Sequence, residues 1–277
     1  MLISFLLCPA NIWADGLIIK LPKDGTSAEF VGDDVGYTRQ VLPKFIADNL
    51  TKKEIEEMEA PNNGTQKRKV TISSVGEMNR ASQPCRWIEI SDEMEDVEKG
   101  RAIKIKDDTL KMLVPERNLG KGQDAMSHTI LTFWNSKYID NEKTQIEKGF
   151  NQIQYQLDSF RLIYPPVFSN KSVANKRSIT TAAGTFANCD VIAGDVESDY
   201  PCPKETRWTD IQKWEILTHP DAPFGVVEIS CDVNVECFGL SGKFMEAKKH
   251  YKLTLNRVEY GVKSRLPENG KKPSQQK

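Results

Sequence analysis

R-S-I-T-T-A-A-G-T-F-A-N-C-D-V-I (177–192) and, after a polar interval holding Trp208 and Trp214, H-P-D-A-P-F-G-V-V-E-I-S-C-D-V-N-V (219–235) bound the stretch that decides the fold. Ile179 and Thr181 alternate with Thr180 and Ala182 until Gly184 interrupts. Phe186 then opens a second run through Cys189, Val191 and Ile192. β-Branched and aromatic residues suit a pleated, half-buried surface, and a glycine between two such runs signals a hairpin or a bulge. Trp214, Ile216 and Thr218 alternate with Glu215 and Leu217 as a third strand. Pro220 and Pro223 stop the pairing, because proline brings no amide hydrogen to a ladder. His219, Pro220, Asp221, Ala222 and Pro223 therefore make a corner, and Phe224 to Ile229 resumes as an apolar run.

The same signals extend outward. Leu17 to Leu21 and Ala28 to Val31 read as strands joined by the turn residues Pro22, Lys23, Asp24 and Gly25. Val70 to Ser74, Arg86 to Ile90, Ala102 to Ile105, Leu110 to Val114 and the long Glu246 to Tyr260 follow, with acidic Asp92 to Glu98 as a hairpin tip. Leu42 to Ala60 switches to a helical pattern with a Thr51/Glu54 capping box and a Glu-rich face, a solvated insertion between strands. Met126, Ile130, Leu131, Phe133 and Trp134 fall near helical spacing after Asp124, so Leu119 to Trp134 is expected as a helix laid across the sheet. Asn151 to Tyr164 suits a helix at first and a strand at its tail. The fold class is mainly β (α+β): an antiparallel curved sheet or half-barrel with one or two helices packed on it.

Two motifs carry a family resemblance. Gly184, Thr185 and Phe186, together with Pro223, Phe224, Gly225, Val226 and Val227, resemble secreted bacterial proteins without an assigned activity. So does C-R-W-I-E-I at Cys85 to Ile90. Their sheet is similar to the half-barrel of the lipoprotein carriers, the LolA-like fold. The resemblance implies an antiparallel sheet wrapped around a helix, able to shelter an acyl chain, and an exported location. It implies no catalytic residues.

At 277 residues, with 39% hydrophobic and 28% charged residues, the chain can build a sizeable core under a well-solvated surface. A net charge of -1 and a pI of about 6.4 argue against a nucleic-acid binder. Met1 to Leu7 is apolar and Ala14 is a small residue at a cleavage position, although no Lys or Arg precedes the run. The expected organisation is a signal peptide at 1–14, one β-rich domain at 15–265 with a helical insertion near 42–60, and a disordered tail at 266–277. No later segment approaches the roughly 18 apolar residues of a membrane helix, so no integral membrane segment is expected. Six cysteines are present, and Cys8 falls within the leader. The other five permit two disulfides in an exported protein, with Cys231–Cys237 as a candidate pair.

Catalytic patterns are missing. His128, His219 and His250 lack metal-ligand spacing, and neither a metal nor a cofactor is called for. Phe238 to Lys243 (F-G-L-S-G-K) lacks the glycine of a nucleophile elbow. Asp195, Glu197 and Asp199, and likewise Asp232, Asn234 and Glu236, alternate as solvated faces or candidate oxygen ligands. The expected function is non-catalytic: an exported, periplasmic or extracellular protein binding a hydrophobic or lipid-like ligand, or a cell-envelope partner such as a lipoprotein. Trp87, Ile88, Phe133, Trp134, Phe186 and Phe224 are the candidate lining, the alternative being that they simply form the core. A structural or interaction protein without a small ligand, and an undetected hydrolase, are the rival readings. Export makes a direct prediction: N-terminal sequencing of the mature protein should begin near Asp15, whereas intact Met1 recovered from the cytoplasm would overturn it.

Overall fold

The strand periodicity is realised in eleven strands. They are β1 (Ser27–Gln40), β2 (Asn62–Arg80), β3 (Gln83–Glu98), β4 (Arg101–Pro115), β5 (Leu131–Tyr138), β6 (Asn141–Glu147), β7 (Ser172–Thr181), β8 (Gly184–Cys202), β9 (Thr206–Thr218), β10 (Val226–Gly239) and β11 (Gly242–Glu259). The computed structural model describes residues 18–80, 82–98, 101–118, 131–138, 141–147, 168–202, 206–240 and 242–266. Every pairing between neighbouring strands is antiparallel. The order across the curved sheet is β6-β5-β4-β3-β2-β1-β11-β10-β9-β8-β7, so β6 and β7 are its edges and the sheet does not close. Two meanders are thereby joined by the first and last strands, β1 pairing with β11 along its whole length.

Two α-helices are described, α1 (Lys44–Ala47) and α2 (Lys52–Met58), both between β1 and β2, and neither buries a residue. The Thr51/Glu54 capping box is formed: Glu54 N–H donates to Thr51 Oγ1 at 3.3 Å and Thr51 N–H to Glu54 Oε2 at 2.8 Å. Neither helix is long and apolar enough to cross a membrane. The helix expected across the sheet is strand over its last residues, because Leu131 to Trp134 belong to β5 and pair with Leu113 to Leu110. Residues 119–130 and 151–164 lie outside the described residues. Ile18 to Leu21 is not strand; instead the N–H groups of Ile19 and Lys20 both donate to the Phe224 carbonyl, at 2.9 and 3.1 Å. The acidic run 92–98 continues β3 rather than turning, its residues pairing with β4 as far as Glu98 opposite Arg101.

One face of the sheet is the core. Cross-strand neighbours Phe30 and Val70, Ile72 and Ile90, Ile88 and Met112, Phe30 and Leu255, and Ile229 and Ile216 are all fully buried. Further along the same face the apolar residues give way to buried polar ones. Arg68 meets Asp92 in a two-point pair, Nε to Oδ1 and Nη2 to Oδ2, each at 2.8 Å, with both side chains out of water. Removing either partner of such a pair strands a buried charge, at a cost of about 3–5 kcal/mol. Gln212 Nε2 donates to Asp210 Oδ2 at 2.7 Å, and Trp214 Nε1 to Gln212 Oε1 at 2.9 Å.

On the opposite face of β3 and β4, Glu89 accepts from the Ser264 hydroxyl at 2.6 Å and from the N–H groups of Arg265 and Leu266 at 3.0 and 3.2 Å. The chain after β11 is therefore laid over the sheet as far as Leu266; residues 267–277 lie outside the described residues. The cysteine pairing is corrected. Cys231 and Cys237 lie on one strand, six residues or roughly 20 Å apart, well beyond the roughly 7 Å Cα limit of a disulfide. Both are free, as are Cys85 and Cys189.

The corner after β9 is closed by its own backbone: His219 N–H donates to the Gly225 carbonyl at 3.0 Å, and Gly225 N–H to that of Ala222 at 2.9 Å. Gly225 has φ +86, and a Cβ there would stand 3.2 Å from Ile19, so the position needs glycine on two counts. Phe224, between this turn and β10, is fully buried. Phe224→Ala should cost about 3–5 kcal/mol. Denaturant melts check this, and a loss below about 1 kcal/mol would contradict the burial.

Candidate functional site

β1 and β2 meet at a pair of glycines, Gly36 opposite Gly64. The two are accommodated differently. A Cβ on Gly36 would lie 2.6 Å from the Lys248 carbonyl oxygen, so the close approach of β11 requires glycine there. A Cβ on Gly64 would meet nothing within 4 Å. The missing side chains open space on the core face, and a hollow lies against the sheet on each face.

The larger hollow, about 740 Å³, is an open trough on the face opposite the core residues. Two adjacent cross-strand rows build it. One runs Lys213 (β9), Asp232 (β10), His250 (β11), Val35 (β1) and Thr65 (β2); the next adds Asn234, Lys248, Tyr37 and Asn63. Alternation puts all nine on one face. His250 Nδ1 and Asp232 Oδ1 are 2.8 Å apart, both side chains about half exposed. The smaller hollow, about 500 Å³, lies on the core face, where Asp34, Thr38, Asn62, Gln66, Asp96 and Lys249 surround the glycines. Asp34 is buried, and burial holds its carboxyl above the usual range, Asp92 adding to the rise while Lys249 and Arg68 oppose it.

The six residues singled out in the sequence are dispersed. Ile88 and Phe224 are fully buried and Phe186 nearly so, all three in the apolar core. Trp87 faces the other way from Ile88, as alternation demands, and lies half-buried under the Lys111 ammonium, 5.0 Å from its ring. Phe133 and Trp134 sit on β5, their side chains outside the described residues. None of the four whose side chains are described lines either hollow.

His219 has a structural task. Its Nδ1 accepts the Asp221 N–H at 3.1 Å, so the ring proton sits on Nε2, 3.0 Å from the Ala187 carbonyl, and the ring edge packs on Phe186. Asp232 and Asn234 of the second alternating trio do line the trough, but no grouping able to hold a metal ion occurs among the described residues. Burial, with Asp210 and Asp232 adding to it, pushes the Cys231 thiol up, away from nucleophilic use.

The trough draws on five strands whose contributions stand up to about 215 residues apart, so no local pattern announces it. The available signal was glycine inside strands, at V-G-Y (35–37) and N-N-G-T (62–65). The second of these reads equally well as the stop signal of the preceding helix.

No known protein family matches the chain, and no curated protein matches it. Among solved structures it is similar to a Bacteroides fragilis protein described as exported, with a YmcC-like fold. The identity is 10% and the TM-score 0.29, over 87% of this chain and 99% of that one. It is also similar to a Parabacteroides distasonis protein described as a lipoprotein, at 11% identity and TM-score 0.30, over 88% and 100%. The Pseudomonas aeruginosa outer membrane protein OprG follows at 9% identity and TM-score 0.15, over 89% and 100%. Scores of this size carry no argument about this chain, and the site rests on its own geometry.

Asp34 supplies a test of the inner hollow. A folded-state pKa above the unfolded value means the folded chain binds the proton more tightly, so stability falls as pH rises from about 4 through the folded pKa. Asp34→Asn removes that dependence. Its melting temperature should exceed that of the parent at neutral pH, and the gap should close as pH is lowered toward 4 in paired thermal scans.

Proposed function

We propose that this chain is an exported, non-catalytic binding protein of the cell envelope that holds a polar ligand in the trough over Gly36 and Gly64. The observation that carries this reading is the trough itself. It is a concave surface of about 740 Å³ in which Tyr37, Asn63, Thr65 and Asn234 present one aromatic ring, two amides and a hydroxyl from rigid strands. That volume falls in the range of ligand sites, and side chains fixed on neighbouring strands are held in register without a lid. Export rests on the apolar leader at Met1 to Leu7 and on Ala14.

A lipid-like ligand fits less well, because Ile88, Phe186 and Phe224 are spent on the core and the trough is an open surface rather than an enclosed cavity. One contact favours a second reading. His250 and Asp232 form the His–carboxylate pair of a hydrolase. Among the described residues, however, no hydroxyl or thiol is hydrogen-bonded to that ring, which a nucleophile would require.

Tyr37→Ala and Asn63→Ala separate the readings. Each should fold with an unchanged melt yet lose at least about tenfold in retention of envelope polysaccharide or glycolipid extract in a pull-down. Retention unchanged in both would overturn the trough as the site. Turnover of an ester or glycoside substrate that His250→Ala abolishes would replace binding with hydrolysis.

A further inference from the structure

Two lysines of the trough form no ion pair with any described residue. Its lining holds Lys213, Lys248 and Lys249 with one carboxylate, Asp232, whose Oδ1 lies 2.8 Å from His250 Nδ1. Lys249 turns to the core face beside Asp34. Lys213 and Lys248 have no ion pair or hydrogen bond with any described residue. The basic residues flanking them on β11 do: Lys243 holds Glu236 and Glu246 at 3.0 and 2.9 Å, and Lys252 holds Glu228 at 3.1 Å. In its cross-strand row Lys213 stands between Asp195 and Asp232 without forming an ion pair to either, and Lys248 faces only Asn234 and Tyr37.

We infer that the trough binds an acidic glycan, an inference that rests on the polar-ligand reading above. The two lysines sit on β9 and β11, two strand spacings across and one row along, roughly 12 Å apart between backbones; Lys213 flanks Asp232, and Lys248 lies one row beyond His250 on the same strand. Anionic groups on successive sugars of a chain can reach both. Asn63 and Asn234 amides and the Thr65 hydroxyl each give and take hydrogen bonds, as sugar hydroxyls do, and Tyr37 offers a flat ring to a pyranose face.

Other polyanions fit less well. A nucleic acid would call for a basic chain and several stacking rings, where this one has pI about 6.4 and a single tyrosine in the trough. An acidic peptide adding itself as a strand would need a free sheet edge, and the trough lies over five strands whose main-chain groups are already paired to each other.

The experiment is isothermal titration of the full chain with four polymers: polygalacturonate, alginate, neutral dextran and polyglutamate. The parent is compared with Tyr37→Ala and with the double variant Lys213→Gln/Lys248→Gln. Both lysines are exposed, so the double variant should keep its melt. The expected result is that at least one acidic polysaccharide binds and weakens with added salt. The lysine double variant should lose on the order of tenfold or more in affinity, and dextran should bind far more weakly. Dextran bound as tightly as the acidic polymers, with the double variant unaffected and Tyr37→Ala impaired, would overturn the acidic assignment and leave the polar-ligand trough standing. Polyglutamate bound as tightly as the acidic polysaccharides would show that charge alone is read and overturn the glycan. Acidic polysaccharide binding insensitive to both variants, or none at all, would overturn the glycan site in this trough.

Discussion

The ladder between β1 and β11 is what makes this one protein. Without it the chain would be two meanders, β2 to β6 with β1 at its margin and β7 to β10 with β11 at its own, each exposing an open edge and half a core. With it, Phe30 meets Leu255 on one side and Val70 on the other, and the apolar residues of both meanders form a single buried cluster. The trough depends on the same join. Three of its contributing strands, β9 to β11, come from the C-terminal meander and two, β1 and β2, from the N-terminal one. Site and core are thus opposite faces of one seam.

The seam is asymmetric along its length. At the Phe30 end, large apolar side chains fill the core face. At the Gly36 end, two glycines, Asp34 and the Arg68–Asp92 pair take their place. Burying Arg68 with Asp92 adds little net stability over an apolar pair, so its presence marks a place where packing gives way to polar structure. Glycine at position 36 follows from the steric demand of β11, while Gly64 has room for a methyl group and lacks one. The first glycine is imposed by the fold, and the second widens the space on the core face.

Much of the fold was legible in residues that alternate. Ile179 to Ile192 and Trp214 to Ile229 announce their hairpin and corner, and Thr51 with Glu54 announces the second helix; the antiparallel sheet follows from these. The failures have specific causes. Leu131 to Trp134 carry apolar residues at a spacing that suits both a helix turn and a strand with two buried faces, and only the pairing with β4 decides. The acidic run from Asp92 resembles a turn by composition, yet it pairs with β4 as strand, with Asp92 buried against Arg68. Of the candidate lining residues, Ile88, Phe186 and Phe224 lie in the core, where large apolar side chains are used first. Tyr37, Asn63, Lys213 and Lys248 stood out by nothing local, since their relation is a register between strands that the sequence does not display.

The seam also sets an order of events during synthesis. β11 begins roughly 200 residues after β1 ends, so at roughly 5–20 residues per second a newly made β1 waits about 10–40 s for its partner. Throughout that interval one margin of β1 is an unpaired template for any passing strand. Its sequence there, V-G-D-D-V-G, is poorly suited to accept one: two glycines weaken extended structure and two adjacent aspartates repel a second copy of themselves. Gly36, which the close approach of β11 requires in the finished sheet, thus also helps keep the nascent edge from pairing with a neighbouring chain before its own last strand arrives.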